Sequence, residues 1–157
     1  MPRSCLFCGA TNCKITSEHV WPRWLVDYLP PITGKVLAER WSSRSGSQEW
    51  QTGILAATVN TFCESCNTGW MAKIEGTARA IVGPMVQGRA TTLNPDAQRA
   101  VANWAVLKGL VAAQTSGDAG QFIPDRHYHR VCAAQGAPAV QLDPDDREAV
   151  EADIEVI

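Results

Sequence analysis

Four of the six cysteines share a spacing that is typical of zinc ligands. They form two Cys-x-x-Cys pairs: Cys5, Cys8, Cys63 and Cys66. Such a pair spans one edge of a tetrahedral zinc site, so two pairs supply all four ligands of a structural Zn²⁺ ion. Of the remaining cysteines, Cys13 is an alternative ligand, and Cys132 is predicted to be a small buried apolar residue.

Two other interpretations of the cysteine pairs stay open. In the first, the two pairs are unrelated to each other. In the second, one pair is a redox-active dithiol, but such a dithiol would need a thioredoxin-like βαβ context that the sequence pattern lacks. The N-terminal residues contain no apolar core of a signal peptide, and no run of about 18 uncharged apolar residues occurs. We therefore expect a cytoplasmic protein with no membrane segment, in which paired cysteines bind metal more often than they form disulfides.

The same zinc ion would bring a histidine close to an asparagine. His19 lies between the pairs, in the stretch 18–22 (Glu-His-Val-Trp-Pro), and Asn67 directly follows Cys66. Histidine titrates near neutral pH and is the most frequent general base in enzymes. A lone histidine is more often structural, so the expected approach to Asn67 is what makes His19 a candidate catalytic residue.

The order of these motifs resembles that of zinc-containing HNH endonucleases of the ββα-metal fold. That family has Asp-His-Ile-x-Pro followed later by Cys-x-x-Cys and His or Asn; here the matching stretches are 18–22 and 63–67. The stretch 69–71 (Gly-Trp-Met) is similar to a subgroup common in phages and actinobacteria. The resemblance covers about residues 3–75, and the predicted helix over 95–115 and the stretch 122–128 are similar, more weakly, to the downstream region of that subgroup. It implies an α+β fold with a ββα-metal module, a four-cysteine zinc site and hydrolysis of phosphodiester bonds in DNA.

The resemblance also implies a role for each matching residue. His19 would be the general base that takes a proton from the attacking water. Glu18 and Asn67 would hold one catalytic cation, Mg²⁺ or Mn²⁺, at the scissile phosphate and the leaving 3′ oxygen. This agrees with general chemistry, because hard cations prefer oxygen ligands and neutralise the charge of a phosphodiester.

One position departs from the family pattern. The middle asparagine of the family lies nine residues before the last His or Asn, and that position here is Thr58. Asn60 lies two residues later and would take its place if the strand is bulged. The departure keeps an alternative open, in which the protein is a catalytically inactive, zinc-stabilised module that binds nucleic acid or has a regulatory role.

The elements that must position these residues can be predicted in outline. We expect short helices over 23–29, 67–75 and 78–86, the last interrupted at 83–84, strands over 35–41 and 49–59, a longer helix over 95–115 and short segments after it. A boundary near Gly88 divides the predicted zinc-stabilised HNH nuclease module, residues 1–89, from a mainly α-helical C-terminal appendage, residues 90–157.

Charge is distributed unevenly between these two parts. The formal net charge of the chain is −2. Residues 1–89 contain nine Lys and Arg against six Asp and Glu, whereas residues 90–157 contain five against ten and end in an acidic tail. Because a basic surface attracts polyanions, we expect the nucleic-acid partner, predicted to be DNA, at the cysteine-rich part.

Overall fold

The computed structural model describes residues 4–31, 34–43, 46–53, 55–115 and 123–136. In this part of the chain the protein is a mixed α+β structure with two small antiparallel sheets of two strands each. Strand β1 (Ile15–His19) pairs with β4 (Thr58–Cys63), and β2 (Val36–Ser42) pairs with β3 (Gly46–Thr52). The predicted α+β class is therefore confirmed.

The β2–β3 hairpin is inserted between the two strands of the other sheet. The sequence predicts one strand over 49–59, but β3 ends at Thr52 and β4 begins at Thr58, because a turn starts at Gly53. The hairpin exposes Leu37 on one face and Trp50 on the other. Ahead of the hairpin, a short 3-10 helix (Arg23–Asp27) replaces the longer predicted helix over 23–29.

A helical segment follows β4 directly. It comprises a first turn, Glu64–Cys66, a π-helical turn kinked at Gly69, Asn67–Met71, and helix α1, Ala72–Val86. The sequence predicts two shorter helices with an interruption at 83–84, and this prediction is wrong. Pro84 lies in the last turn of α1, where the backbone hydrogen bond that a proline cannot donate affects only the end of the helix.

Helix α2 (Pro95–Ala113) begins where the sequence predicts. The side-chain oxygen of Asn94 accepts a hydrogen bond from the Ala97 N–H at 2.9 Å, and Pro95 occupies the first turn. Helix α3 (Asp125–Ala134) replaces part of the predicted short segments. Its Tyr128 and Cys132 are one turn apart and fully buried, so tertiary packing stabilises a helix whose sequence is otherwise polar. Among the described residues, no helix has the length and apolar character that a membrane span requires.

One apolar core contains residues from both sides of the predicted boundary near Gly88. At its centre the Phe7 ring contacts the rings of Phe62, Trp70 and Tyr128, with centroids 4.5, 4.8 and 5.6 Å away. The other buried members of this core are Cys5, Val20, Val59, Cys63, Cys66, Met71, Leu107, Leu110, Val111 and Cys132. The N-terminal turn, the β1–β4 sheet, α2 and α3 are thereby held in one packed unit.

Gly83 on α1 provides a close approach for the ring of Tyr28. A Cβ atom at position 83 would lie 2.4 Å from that ring. We expect Gly83→Ala to destabilise the protein by about 1–3 kcal/mol, although alanine normally favours a helix. The matched variant is Gly76→Ala on the same helix, where nothing lies within 4 Å, and it should stabilise the protein by about 0.5–1 kcal/mol. Urea unfolding of both variants checks this, and equal effects would contradict it.

Candidate metal centre and the adjoining polar cleft

The four paired cysteines meet at one place in the fold. Cys5 and Cys8 lie in the N-terminal turn, Cys63 ends β4, and Cys66 lies in the helical turn after it. The N-terminal turn is held against β4 by a hydrogen bond from the Leu6 N–H to the carbonyl oxygen of Thr61, at 3.0 Å. As a result, the four sulfur atoms all lie within 4.8 Å of one another.

The spacing of the sulfur atoms fits a tetrahedral metal ion. A Zn–S bond of about 2.3 Å places two sulfurs of a tetrahedral site about 3.8 Å apart. The distances from Cys5 Sγ to Cys66 Sγ and from Cys8 Sγ to Cys63 Sγ are 4.0 and 3.7 Å. A disulfide would bring two sulfurs to about 2.05 Å, and the cysteines are free. The predicted cluster is therefore present and could hold a metal such as zinc.

Contacts between the sulfur atoms change their affinity for protons. The hydrogen bond with Cys66 lowers the pKa of Cys5 to about 4, and the Cys63 N–H, 3.2 Å from Cys5 Sγ, acts in the same direction. The same contact raises the pKa of Cys66, and burial raises the pKa of Cys8 to about 12. Because a metal ion binds thiolates, its binding is expected to release the protons of Cys8 and Cys66.

The two remaining cysteines lie outside this cluster. The Cys13 thiol donates a hydrogen bond to the carbonyl oxygen of Ala10 at 3.2 Å, so the geometry does not support it as an alternative ligand. Cys132 is fully buried in the core, as predicted, and its burial raises the pKa of its thiol.

A polar cleft of about 650 Å³ adjoins the end of β1. Its wall includes Glu18, His19 and Asn67, three of the four residues predicted to take part in catalysis. Charged side chains from the 3-10 helix and α1 line it as well: Arg23, Asp27, Glu75 and Arg79. The structure thus brings His19 and Asn67 to one cleft, although 47 residues lie between them in the sequence.

Asn67 is tied to β1 by its amide group. Its Nδ2 donates hydrogen bonds to Thr16 Oγ1 at 3.1 Å and to the carbonyl oxygen of Ser17 at 3.3 Å. These bonds connect the π-helical turn to the strand that carries His19. Because the amino group is used in this way, the side-chain oxygen is the atom that Asn67 can offer to a cation.

The middle asparagine of the family has no close counterpart in the cleft. Thr58 pairs directly with His19 across the β1–β4 ladder. The register then shifts by one residue at a bulge that contains Asn60. The bulge that Asn60 would need in order to take the place of the middle asparagine is therefore present. Asn60 is nevertheless exposed and is absent from the wall of the cleft.

Glu18 is engaged by a lysine that comes from α2. The Lys108 ammonium group lies 2.9 Å from Glu18 Oε1, 2.8 Å from Glu75 Oε1 and 2.6 Å from the carbonyl oxygen of His19. Glu18 and Lys108 are each only 8% exposed. A divalent cation at Glu18 would therefore use the second carboxylate oxygen, Oε2, or displace the ammonium group.

The sequence analysis does not identify Lys108 or Glu75 as site residues. A signal for Lys108 exists, because it lies on the apolar face of α2 between Leu107 and Val111, where a charge needs a buried partner. The partner itself could not be found from the sequence, since Glu18 and Lys108 are 90 positions apart.

An apolar cavity adjoins the polar cleft. It has a volume of about 460 Å³ and shares His19, Arg23 and Val26 with the polar cleft. Most of its remaining wall is apolar, with Leu29, Pro30, Pro31, Leu55 and Ala56 among the lining residues. Arg79, the other arginine of the polar cleft, does not line this cavity, and its guanidinium group lies 2.9 Å from Asp27 Oδ2.

The comparisons with known proteins leave the family open. No family model matches the chain, and no curated protein or solved structure shows significant similarity to it.

Proposed function

We propose that this protein is a metal-dependent endonuclease that hydrolyses phosphodiester bonds in DNA, with the HNH-type arrangement that its motifs resemble. The observation that carries the proposal is the cleft that Glu18, His19 and Asn67 line together. A structural zinc ion at the four cysteines would hold the N-terminal turn against the end of β4. It would thereby keep Asn67 beside the strand that ends in His19.

The order of the elements supports this proposal. β1 ends in His19, an inserted hairpin follows, and β4 returns antiparallel to β1. The helical segment that carries Asn67 starts directly after β4. Two antiparallel strands followed by a helix, with the candidate residues at the end of the first strand and the start of the helix, is the order that a ββα-metal module requires.

The charges around the cleft explain why the reaction would need a bound cation. Three carboxylates and three basic groups balance one another there: Glu18, Asp27, Glu75, Arg23, Arg79 and Lys108. The protein alone therefore brings no net positive charge to an anionic phosphodiester. Mg²⁺ or Mn²⁺ held by oxygen atoms of Glu18 and Asn67 would supply it, and His19 would take the proton of the attacking water.

The apolar cavity beside His19 is consistent with a nucleotide substrate. A phosphate near His19 and Arg23 would lie where the polar cleft and the apolar cavity meet. The sugar and base next to the scissile phosphate would then contact apolar side chains, which can pack on the face of a nucleobase.

A second candidate function is an inactive, zinc-stabilised nucleic-acid-binding or regulatory module. Two observations favour it: Thr58 lies opposite His19 in place of an asparagine, and Lys108 already takes one oxygen of Glu18. In that case the cleft would bind phosphate through Arg23 without cleaving the backbone.

The test is cleavage of supercoiled plasmid and of labelled single-stranded, duplex and bulged oligonucleotides. Protein with its zinc content measured is incubated without added metal, with Mg²⁺ and with Mn²⁺, and His19→Ala purified in the same way controls for contaminating nucleases. Cleavage that requires the added cation supports the endonuclease. Tight oligonucleotide binding with no cleavage under any condition supports the binding module, and absence of both excludes both functions.

A further inference from the structure

The buried ammonium group of Lys108 is the strongest structural feature of the cleft that the sequence motifs do not account for. Lys108 is 8% exposed and belongs to α2, outside the two motifs, residues 18–22 and 63–67, that match the family pattern. An ammonium group has three N–H donors, and the structure provides three acceptors for them within 2.9 Å. All three N–H donors of Lys108 therefore have an acceptor at the edge of the cleft.

The acceptors belong to two different elements. Glu18 and His19 end β1, and Glu75 lies on α1. One side chain of α2 therefore connects β1, α1 and α2 at the point where the proposed catalytic residues lie. Moving Lys108 would release all three elements from one another at this edge of the cleft.

The charges explain why this arrangement is held firmly. A buried ammonium ion without a partner is strongly unfavourable, and the carboxylates of Glu18 and Glu75 offset that cost. The dependence is mutual, because Glu18, 8% exposed, would otherwise be a buried carboxylate without a cation. The side chains of Lys108 and Glu18 therefore restrict each other's positions, and a catalytic site needs side chains that are restricted in this way.

We propose that Lys108 is a positioning residue of the nuclease cleft, which holds the carboxylate of Glu18 and the backbone of His19 in the geometry that the reaction requires. The proposal rests on the proposed function. Lys108 acts through its neighbours: it binds Oε1 of Glu18, which leaves Oε2 for a cation, and it fixes the carbonyl group of the residue whose imidazole would act as the base. Helix α2 would then be part of the catalytic unit and not an appendage to it.

The first readout does not depend on activity. The chain has three histidines, so the imidazole ¹H–¹⁵N NMR signals of His127 and His129 serve as internal references for those of His19. At a fixed pH, Lys108→Met is expected to shift the His19 signals and leave the other two unchanged. The matched control is Lys14→Met, which removes an exposed ion pair with Glu64 at 2.7 Å and should shift none of the three. Unchanged His19 signals in folded, metal-loaded Lys108→Met would overturn the proposal, whether or not the protein cleaves DNA.

The second readout is the split between kcat and KM. Because a displacement of about 1 Å can cost about 100-fold in rate, we expect Lys108→Met to lower kcat by about 10- to 100-fold. KM should change little, since the buried ammonium group does not touch the substrate. Lys108→Arg keeps the charge and should restore part of kcat. Equal kcat for Lys108→Met and Lys14→Met would overturn the proposal.

A milder variant covers the case in which Lys108→Met does not fold. Glu75→Gln keeps Lys108 bound to Glu18 and His19 and removes only the ion pair to α1. We expect a smaller shift of the same His19 signals in this variant. If Glu75→Gln retains its metal and leaves these signals unchanged, the proposal fails.

Discussion

Replacing Cys66 by serine is expected to abolish zinc binding and to unfold the cysteine-rich part of the protein. A structural zinc site contributes roughly 10–16 kcal/mol of apparent binding free energy, whereas a whole domain has a net stability of roughly 5–15 kcal/mol. The cluster also lies in the core, because Cys5, Cys63 and Cys66 are each no more than 3% exposed. Loss of the ion would leave the buried thiols of Cys5 and Cys63 and the half-buried thiol of Cys8 with no cation to hold the N-terminal turn against β4.

The matched control is Cys13→Ser, which makes the same substitution at a cysteine outside the cluster. Its side chain donates to the Ala10 carbonyl oxygen, and a serine hydroxyl can do the same. We expect one zinc ion per chain in the wild type and in Cys13→Ser, and none in Cys66→Ser, by elemental analysis, with circular dichroism reporting the fold. A stable, fully folded Cys66→Ser without metal would refute a structural role, and loss of zinc from Cys13→Ser would make Cys13 a ligand.

The direction of the pH dependence follows from the thiol pKa values. Zinc binds thiolates, and the raised pKa values of Cys8 and Cys66 mean that the ion must displace their protons near neutral pH. The pKa of Cys5 is lowered by its contact with Cys66, so Cys5 loses its proton more readily than the other two thiols. Zinc affinity, and the stability that depends on it, should therefore fall as the pH falls. Competition with a colorimetric chelator at several pH values measures this.

How far the sequence predicts the site depends on the range of each interaction. The cysteine cluster could be predicted because metal coordination imposes a local spacing that is visible in the chain. The shared cleft of His19 and Asn67 followed from the same spacing, since each residue lies near a pair of ligands. The contact of Lys108 with Glu18 could not be predicted, because it depends on how α2 packs against α1 and the shared core, and no local pattern encodes that packing.

The differences in the fold have the same origin. The predicted strand over 49–59 is two strands, because the Ala56 N–H binds the Gly53 carbonyl oxygen in a turn, and β3 and β4 pair with different partners. Helix α3 formed although its sequence is mostly polar, because Tyr128 and Cys132 are buried against the core. In both cases the structure depends on strand pairing or packing with residues elsewhere in the chain, which a local pattern does not show.

Replacing His19 by alanine is the change with the largest expected effect on activity. A positioned general base contributes about 10²- to 10⁴-fold to a rate, and alanine leaves nothing at position 19 to accept the proton of the attacking water. We expect kcat to fall by that factor. The backbone carbonyl of residue 19 remains available to Lys108, so the fold and the metal centre should be unaffected.

The matched control is His127→Ala on α3, a histidine that lines a different, mostly apolar groove. Rates are measured on the substrate that the wild type cleaves best, with zinc content and thermal unfolding recorded for each variant. A large loss of kcat in His19→Ala with normal zinc content, and little change in His127→Ala, is the expected result. Equal activity of His19→Ala and the wild type would remove His19 from the mechanism. Because Asn67 and Glu18 line the same cleft, the base would then have to be sought among the other groups there, with the carboxylate of Glu75 as one candidate.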